Sequence, residues 1–222
     1  MAVESRLVQF AAPNCTCVRL PMPVSQLRVI VRAMVAESND SRRRQDRANS
    51  IQWSRRLLEN LDDWCILDTE TTGLNPRYSR VVEISVMTGR GDVVFDSLID
   101  PGVSIPDDAA SIHGISDELV VGAPTIVEAW ANLQSVTENR LLLAYNSSFD
   151  RGMLFYEAVR NDLPKLTSNW ECVMVKYSAF VGAWNERFSN YQFQKLPSAG
   201  HRSQVDCKVT LDLIRLMGEA DF

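Results

Sequence analysis

The 222-residue sequence has only two histidines, no excess of positive charge and no long apolar run. No apolar stretch approaches the roughly 20 residues that a membrane-spanning helix requires. The amino terminus, MAVESRLVQF, lacks the basic region and long apolar core of a secretory signal peptide. These absences predict a cytoplasmic protein. The net charge of −5 argues against nucleic-acid binding through bulk positive charge, but it leaves open an enzyme that recruits cations to a local site.

Cysteine usage does not fit a disulfide framework, because the five cysteines are an odd number at scattered spacing. Cys65 and Cys172 lie in apolar runs, and we expect both to be buried free thiols. Cys15-Thr16-Cys17 has the composition of half a zinc site, but no second Cys or His pair follows at zinc spacing. The cysteines therefore favour a reduced protein without a structural zinc.

The pattern of apolar and polar residues changes twice along the chain. Residues 1–24 contain three prolines and predict either a short hairpin or an irregular arm. Residues 25–60 have apolar residues at helical spacing, with the polar segment 38–47 predicted to separate two helices. We therefore assign residues 1–60 to an N-terminal extension, mostly helical from about residue 25, and residues 61–222 to one domain.

A basic cluster lies in the polar segment of the extension. It consists of Arg42, Arg43, Arg44 and Arg47. Such a cluster is commonly a solvated helix face or loop, and it can also contact phosphate groups outside an active site. The sequence leaves both interpretations open.

The domain predicts an α/β fold. Its apolar runs and helical patterns follow the order β-β-β-α-β-α-β-α-α. Three strands joined by short turns come first and favour antiparallel pairing, whereas the later strands are separated by helices and favour parallel pairing.

Two carboxylates end the first predicted strand. Side chains alternate along a strand, so Asp68 and Glu70 face the same way at its carboxyl end, where α/β sheets commonly place ligands. Two like charges this close repel each other, and a divalent cation would relieve the repulsion. The alternative for this pair alone is an exposed acidic strand end without a role.

Two further stretches add acidic groups at the ends of elements. Asp150 falls in the first turn of a predicted helix that Ser147 or Ser148 could cap, and His201 precedes Asp206 at the start of the last helix. Each stretch alone is weak evidence. Together the four carboxylates suit two hard cations, and a histidine suits the general base of a hydrolysis. The combination indicates metal-dependent phosphoryl chemistry.

Four stretches carry a resemblance to a known family. They are Asp68-Thr69-Glu70-Thr71-Thr72-Gly73-Leu74, Ile112-His113-Gly114-Ile115-Ser116, Asn146-x-x-Phe149-Asp150 and His201-x4-Asp206. In this order and spacing they resemble the DEDDh family of 3′→5′ exonucleases, which includes the proofreading subunit of bacterial replicative polymerases and RNase T. The resemblance covers about residues 62–218.

The resemblance implies a ribonuclease-H-like fold with a central mixed five-stranded sheet flanked by helices. It implies that two Mg²⁺ or Mn²⁺ ions are held by Asp68, Glu70, Asp150 and Asp206, and that His201 is the general base. It also implies contacts to the 3′-terminal nucleotide from Thr71, Leu74, Asn146 and Phe149. Small residues are usual where Ser203 and Cys207 stand, so we expect little effect from these two.

Two residues within the resemblance have no assigned chemistry. For His113 a loop residue that orders the surface near the site is favoured over a direct substrate contact. Glu83 fits the second strand, and a partnered strand residue is the safer interpretation.

Three functions fit these observations. The leading hypothesis is a 3′→5′ exonuclease that acts on the free 3′ end of DNA or RNA. The second is a nuclease-like scaffold or proofreading subunit that acts mainly through protein partners, such as a polymerase bound by the N-terminal extension. The third is a phosphoesterase of small molecules. The motifs do not report a preference between DNA and RNA, because no motif here reads the 2′-hydroxyl group.

Overall fold

The computed structural model describes residues 24–197 and 201–222, with side chains from residue 39 onward. The hairpin or arm predicted at the amino terminus and the Cys15-Thr16-Cys17 pair lie outside the described residues. Within the described residues the helices are α1 (Val24–Glu59), α2 (Asp107–His113), α3 (Ile126–Thr137), α4 (Ser147–Arg160), α5 (Val173–Val181) and α6 (Ser203–Glu219). Across this part of the chain, no helix has both the length and the apolar character needed to cross a membrane.

Five strands form one mixed sheet in the order β3-β2-β1-β4-β5. Their bounds are β1 (Trp64–Thr71), β2 (Val81–Thr88), β3 (Val93–Leu98), β4 (Leu141–Ala144) and β5 (Trp170–Cys172). The first three strands pair antiparallel, and β4 and β5 continue the sheet in parallel. The predicted α/β class and five-stranded mixed sheet are therefore confirmed.

Three short elements were absent from the sequence-based order. Helix α2 has seven residues, and β6 (Trp184–Asn185) pairs with β7 (Asn190–Tyr191) as a separate small hairpin. Elements this short bury few residues, so they leave little periodicity in the sequence. Cys65 is buried and free as expected, whereas Cys172 is only half-buried because β5 ends at this residue.

The predicted break in the first helix is wrong. Helix α1 continues for 36 residues through segment 38–47. This segment lacks apolar residues, which suggested a break, but it also lacks glycine and proline and is rich in arginine, a good helix former. Arg44 pairs with Asp40 one turn earlier at 3.0 Å, which adds local support.

The end of α1 packs against the domain core. A compact unit comprises Gln45–Phe222, and in it Trp53 and Leu57 are buried in one apolar cluster with Leu213 and Ile214 of α6. The Ser54 hydroxyl donates a hydrogen bond to the Ile214 carbonyl. The last part of α1 therefore packs with the sheet-containing unit, although the sequence assigned it to the extension.

Helices cover both faces of the sheet. On one face, α3 and α4 pack Trp130, Leu133 and Met153 against the strands. On the other face, the end of α1, α5 and α6 form the cluster around Trp64 and Ile66. The alternation along β1 thus sends Ile66, and with it Asp68, toward α6.

Replacement of Trp53 by alanine tests whether the end of α1 belongs to the folded unit. Trp53 is 5% exposed, so Trp53→Ala should lower the free energy of unfolding by about 3–5 kcal/mol. The exposed neighbour Gln52, changed to alanine, should leave it nearly unchanged. Urea denaturation measures both, and equal stability of the two variants would contradict the packing described.

Candidate active site

Three carboxylates meet at the carboxyl end of β1. Asp68 and Glu70 are half-buried on one face of the strand, and the buried Asp206 comes from the first turn of α6. One oxygen of each lies within 4.8 Å of the others. This grouping of hard oxygen ligands fits a divalent cation such as Mg²⁺ or Mn²⁺.

Local backbone features bring these carboxylates together. The register between β1 and β2 shifts between Glu70 and Thr71, and such bulges re-aim side chains at strand ends. On α6, Cys207 is fully buried, with its sulfur 3.7 Å from the Ile66 carbonyl oxygen and 3.6 Å from that of Ser85. The small thiol lets α6 approach β1 and β2 closely, which positions Asp206.

Asp150 approaches the same edge from the other side of β1. It lies in the first turn of α4 and is buried, and its Oδ1 accepts hydrogen bonds from the Thr69 backbone N–H (3.1 Å) and hydroxyl (2.8 Å). The expected serine cap is wrong. Asn146 occupies the N-cap position, and the Ser148 hydroxyl donates to its Oδ1 at 2.9 Å instead of capping the helix.

Burial and mutual repulsion raise the pKa values of these carboxylates. Burial, followed by the charges of Asp150, Glu70 and Asp206, raises the pKa of Asp68 well above its ordinary value. Burial, followed by the charge of Asp206, raises the pKa of Glu70 to about 8. Burial raises that of Asp150 to about 7, although the bonds from Thr69 oppose the shift. These carboxylates are therefore more stable when they carry protons or bind a cation than when they are ionised without a compensating charge.

Glu83 is a partnered strand residue, as the sequence favoured, but its partners were not predicted. It is buried on β2 and accepts hydrogen bonds from Arg202 Nε (2.9 Å) and from the Ser203 backbone N–H (2.8 Å) and hydroxyl (3.0 Å). Burial alone would raise the pKa of Glu83, but these bonds outweigh it and hold the pKa below its ordinary value. Glu83 thereby fastens the start of α6 to the sheet.

The two histidines have different surroundings. His201 is exposed in the loop before α6, five residues ahead of Asp206. His113 ends α2 and is 5% exposed, and its Nδ1 accepts a hydrogen bond from the Ile115 N–H at 3.1 Å. Burial lowers the pKa of His113, while its interaction with the Thr71 backbone opposes the shift. The favoured interpretation of His113, an ordering residue near the site, stays a prediction.

The four expected substrate contacts lie in distinct surroundings around this edge. Leu74 is 86% exposed and Asn146 is exposed, whereas Thr71 is buried and donates its hydroxyl hydrogen bond to the Gly73 carbonyl at 2.8 Å. Phe149 packs partly into the core below α4. Leu74 and Asn146 are thus accessible to a ligand, and the contacts of all four remain predictions.

The sheet order is that of the ribonuclease-H-like fold, and the clustered carboxylates fit metal binding. A family model described as "RNase_T: Exonuclease" matches residues 65–214. The chain therefore belongs to this exonuclease family. The predicted family resemblance and fold are confirmed.

Similarity to individual proteins is consistent with the family match. An uncharacterized exonuclease of Escherichia phage 186 is 31% identical over 184 residues, which covers 75% of this chain and 93% of the phage protein. A DNA polymerase III subunit epsilon-like protein of Rhodobacter capsulatus is 35% identical over 91 residues, or 38% of this chain and only 13% of that protein. The structure of Exonuclease X in complex with 5′ overhanging duplex DNA is 26% identical, with a TM-score of 0.51, over 72% of this chain and 93% of that one.

The raised carboxyl pKa values predict how pH affects the metal-free protein. Between the ordinary value of 4.5 and about 8, folded Glu70 keeps a proton that the unfolded chain has released. Stability should therefore fall as pH rises through this window, and Mn²⁺ should restore it most at the alkaline end. Melting temperatures in EDTA measure this. Glu70→Gln should weaken the decline, and an equally steep decline in that variant would contradict the assignment.

Arg202 allows a test of the Glu83 contact. Arg202→Ala leaves the buried Glu83 with Ser203 alone and should lower the free energy of unfolding by about 1–3 kcal/mol. Lys208 is the matched control, because its side chain is 51% exposed against 49% for Arg202, and it pairs with the exposed Asp212. Lys208→Ala should lower the stability by no more than about 1 kcal/mol. Equal losses in urea denaturation would show that Glu83 does not fasten α6.

Proposed function

We propose that this protein is a metal-dependent 3′→5′ exonuclease that hydrolyses DNA from a free 3′ end. The observation that carries the proposal is the group of Asp68, Glu70 and Asp206 oxygens within 4.8 Å of one another, inside the segment matched by the exonuclease family. Asp150 lies close enough to raise the pKa of Asp68. These four carboxylates would hold two Mg²⁺ or Mn²⁺ ions.

The ions, when bound, would neutralise the carboxylates, activate a water molecule and stabilise the leaving 3′ oxygen. His201 is the proposed general base. Its side chain is exposed at the start of α6, so it is free to accept the proton from the attacking water. Hydrolysis then breaks the bond between phosphorus and the 3′ oxygen and releases a nucleoside 5′-monophosphate. The bonds between Glu83 and Ser203 hold the start of α6, which lies between His201 in the preceding loop and Asp206 in the first turn.

DNA is the proposed substrate because the similar Exonuclease X structure is a complex with duplex DNA that has a 5′ overhang. The terminal nucleotide would lie against Leu74 and Asn146, with Thr71 and Phe149 shaping the surface beneath. A protein partner, such as a polymerase bound through residues 1–60, is a separate proposal. It rests on the name of the epsilon-like relative alone.

Degradation of an oligonucleotide with a label at one end tests the polarity. With Mn²⁺, a 5′-labelled strand should shorten gradually, whereas a 3′-labelled strand should release its label at once as a mononucleotide. His201→Ala should slow cleavage by about 10²–10⁴-fold, and Asp68→Asn should abolish it. Asp63→Asn is the matched control, because Asp63 is an exposed carboxylate at the opposite end of β1.

Three results would contradict the proposal. They are early release of a 5′ label, cleavage by Asp68→Asn at the wild-type rate, and faster hydrolysis of a small phosphodiester such as bis(p-nitrophenyl) phosphate than of any oligonucleotide. An RNA strand of the same sequence shows whether the 2′-hydroxyl group matters.

A further inference from the structure

The loop between β1 and β2, residues 72–80, exposes large apolar side chains although its backbone is tightly held. The Thr72 N–H bonds the Arg80 carbonyl at 2.8 Å, and the Arg80 N–H returns to the Thr72 hydroxyl at 2.9 Å. Inside the loop, the N–H groups of Tyr78 and Ser79 both donate to the Asn75 carbonyl, at 3.0 and 2.8 Å. The loop is therefore closed by its own hydrogen bonds.

Helix α4 fixes the loop from outside. Arg160 donates to the carbonyls of Pro76 (3.2 Å) and Arg77 (3.3 Å), and it is itself paired with the buried Glu157 at 2.8 Å. Glu157 also accepts a hydrogen bond from the N–H of Val81, the first residue of β2. A buried ion pair thus sets the position of an exposed loop.

Close packing places the loop between two of the candidate metal-ligating elements. It begins two residues after Glu70. Pro76 then packs against Gly152, two residues after Asp150, where an added Cβ would come within 3.3 Å of the Pro76 side chain. The loop therefore borders the carboxylate site at its start, beside Glu70, and at its middle, where Pro76 meets the first turns of α4.

Two large side chains on this fixed loop are open to solvent. Leu74 is 86% and Tyr78 is 74% exposed. Within the described residues, no hydrogen bond or ring contact engages the Tyr78 side chain. Arg77 directly precedes Tyr78, and Arg151 directly precedes Gly152, which packs against Pro76. Both arginines are exposed, and neither has an acidic partner in the described part of the chain. An unengaged aromatic ring on a loop that carries or adjoins exposed cations matches the way proteins bind single-stranded nucleic acid, by base stacking and phosphate contact.

Resting on the proposed function, we propose that Tyr78 is a stacking platform for a base upstream of the 3′-terminal nucleotide, with Arg77 and Arg151 contacting the flanking phosphates. The loop is held before substrate arrives, so little ordering opposes binding. The bound strand is single-stranded at this position, because a base inside a duplex is stacked on both faces and leaves neither face free for the ring.

Loss of the ring should weaken binding of the strand more than it slows hydrolysis. Tyr78→Ala should raise KM for a single-stranded oligonucleotide by about 5- to 100-fold with a smaller change in kcat, because stacking contributes this range per base. Tyr78→Phe keeps the ring and should stay near the wild-type KM. The control is Phe222→Ala, since Phe222 is 71% exposed and follows the end of α6, a 17-residue helix about 25 Å long whose first turn carries Asp206. The Phe222 ring contacts the Arg55 guanidinium at 4.7 Å, so this variant also shows the effect of losing an exposed ring away from the loop.

Substrates with one missing base identify the contact. A tetrahydrofuran abasic unit is placed at the second, third or fourth nucleotide from the 3′ end, in matched DNA and RNA strands. At the contacted position the wild type should lose affinity, and Tyr78→Ala should lose nothing further, so the difference between the two proteins disappears there.

The possible outcomes separate this proposal from the proposed function. The stacking proposal is wrong if wild type shortens the strands but Tyr78→Ala has the same KM. It is also wrong if Phe222→Ala raises KM as much as Tyr78→Ala does. In both cases the proposed exonuclease activity is unaffected. The stacking proposal is likewise wrong if wild type and Tyr78→Ala still differ in KM on every abasic strand. If wild type shortens none of the strands, both proposals fail together.

Discussion

The active-site edge depends on one constraint, which is that several like charges are held together at the end of a single strand. Asp68 and Glu70 cannot separate, because the alternation of β1 sends both toward α6, where Asp206 meets them within 4.8 Å. Burial and repulsion then raise the pKa values of Asp68 and Glu70. The fold supplies the position of these groups and leaves their charge to be balanced by protons or by bound cations.

Not every carboxylate at this edge lacks a group that stabilises its negative charge. Glu83 stands directly opposite Glu70 in the register of β1 and β2, and it is the more buried of the two. Arg202 and Ser203 nevertheless hold its pKa low, whereas the pKa of Glu70 rises to about 8. Two glutamates facing each other across one strand pair thus differ because the chain provides donors to only one. That difference separates a residue that holds the site together from one suited to binding a ligand.

The sequence was sufficient for the five strands of the sheet and for the grouping of the carboxylates, because alternation and helical spacing are local patterns. It was not sufficient for the contacts that fix the group. Glu83 and Arg202 are 119 residues apart, and nothing in either neighbourhood indicates the other. The polar segment in α1 suggested a break because periodicity reports burial, whereas backbone propensity sustained the helix there. The burial of His113 likewise depends on α2, which is too short to leave a pattern.

Recognition of a polyanion, which the proposed function requires of this chain, presents a related problem. The net charge is −5 and the candidate site is itself acidic, so long-range attraction cannot supply much of the binding energy. Bound cations would offset the charge of the site but would not contact the part of the strand that lies beyond it. Short-range contacts must then contribute, and the loop beside Glu70 presents Leu74 and Tyr78 on a backbone that Arg160 and Glu157 hold in place. A largely buried ion pair thus holds a loop whose apolar groups remain exposed, and these groups are the ones that the proposed stacking would place against uncharged base faces.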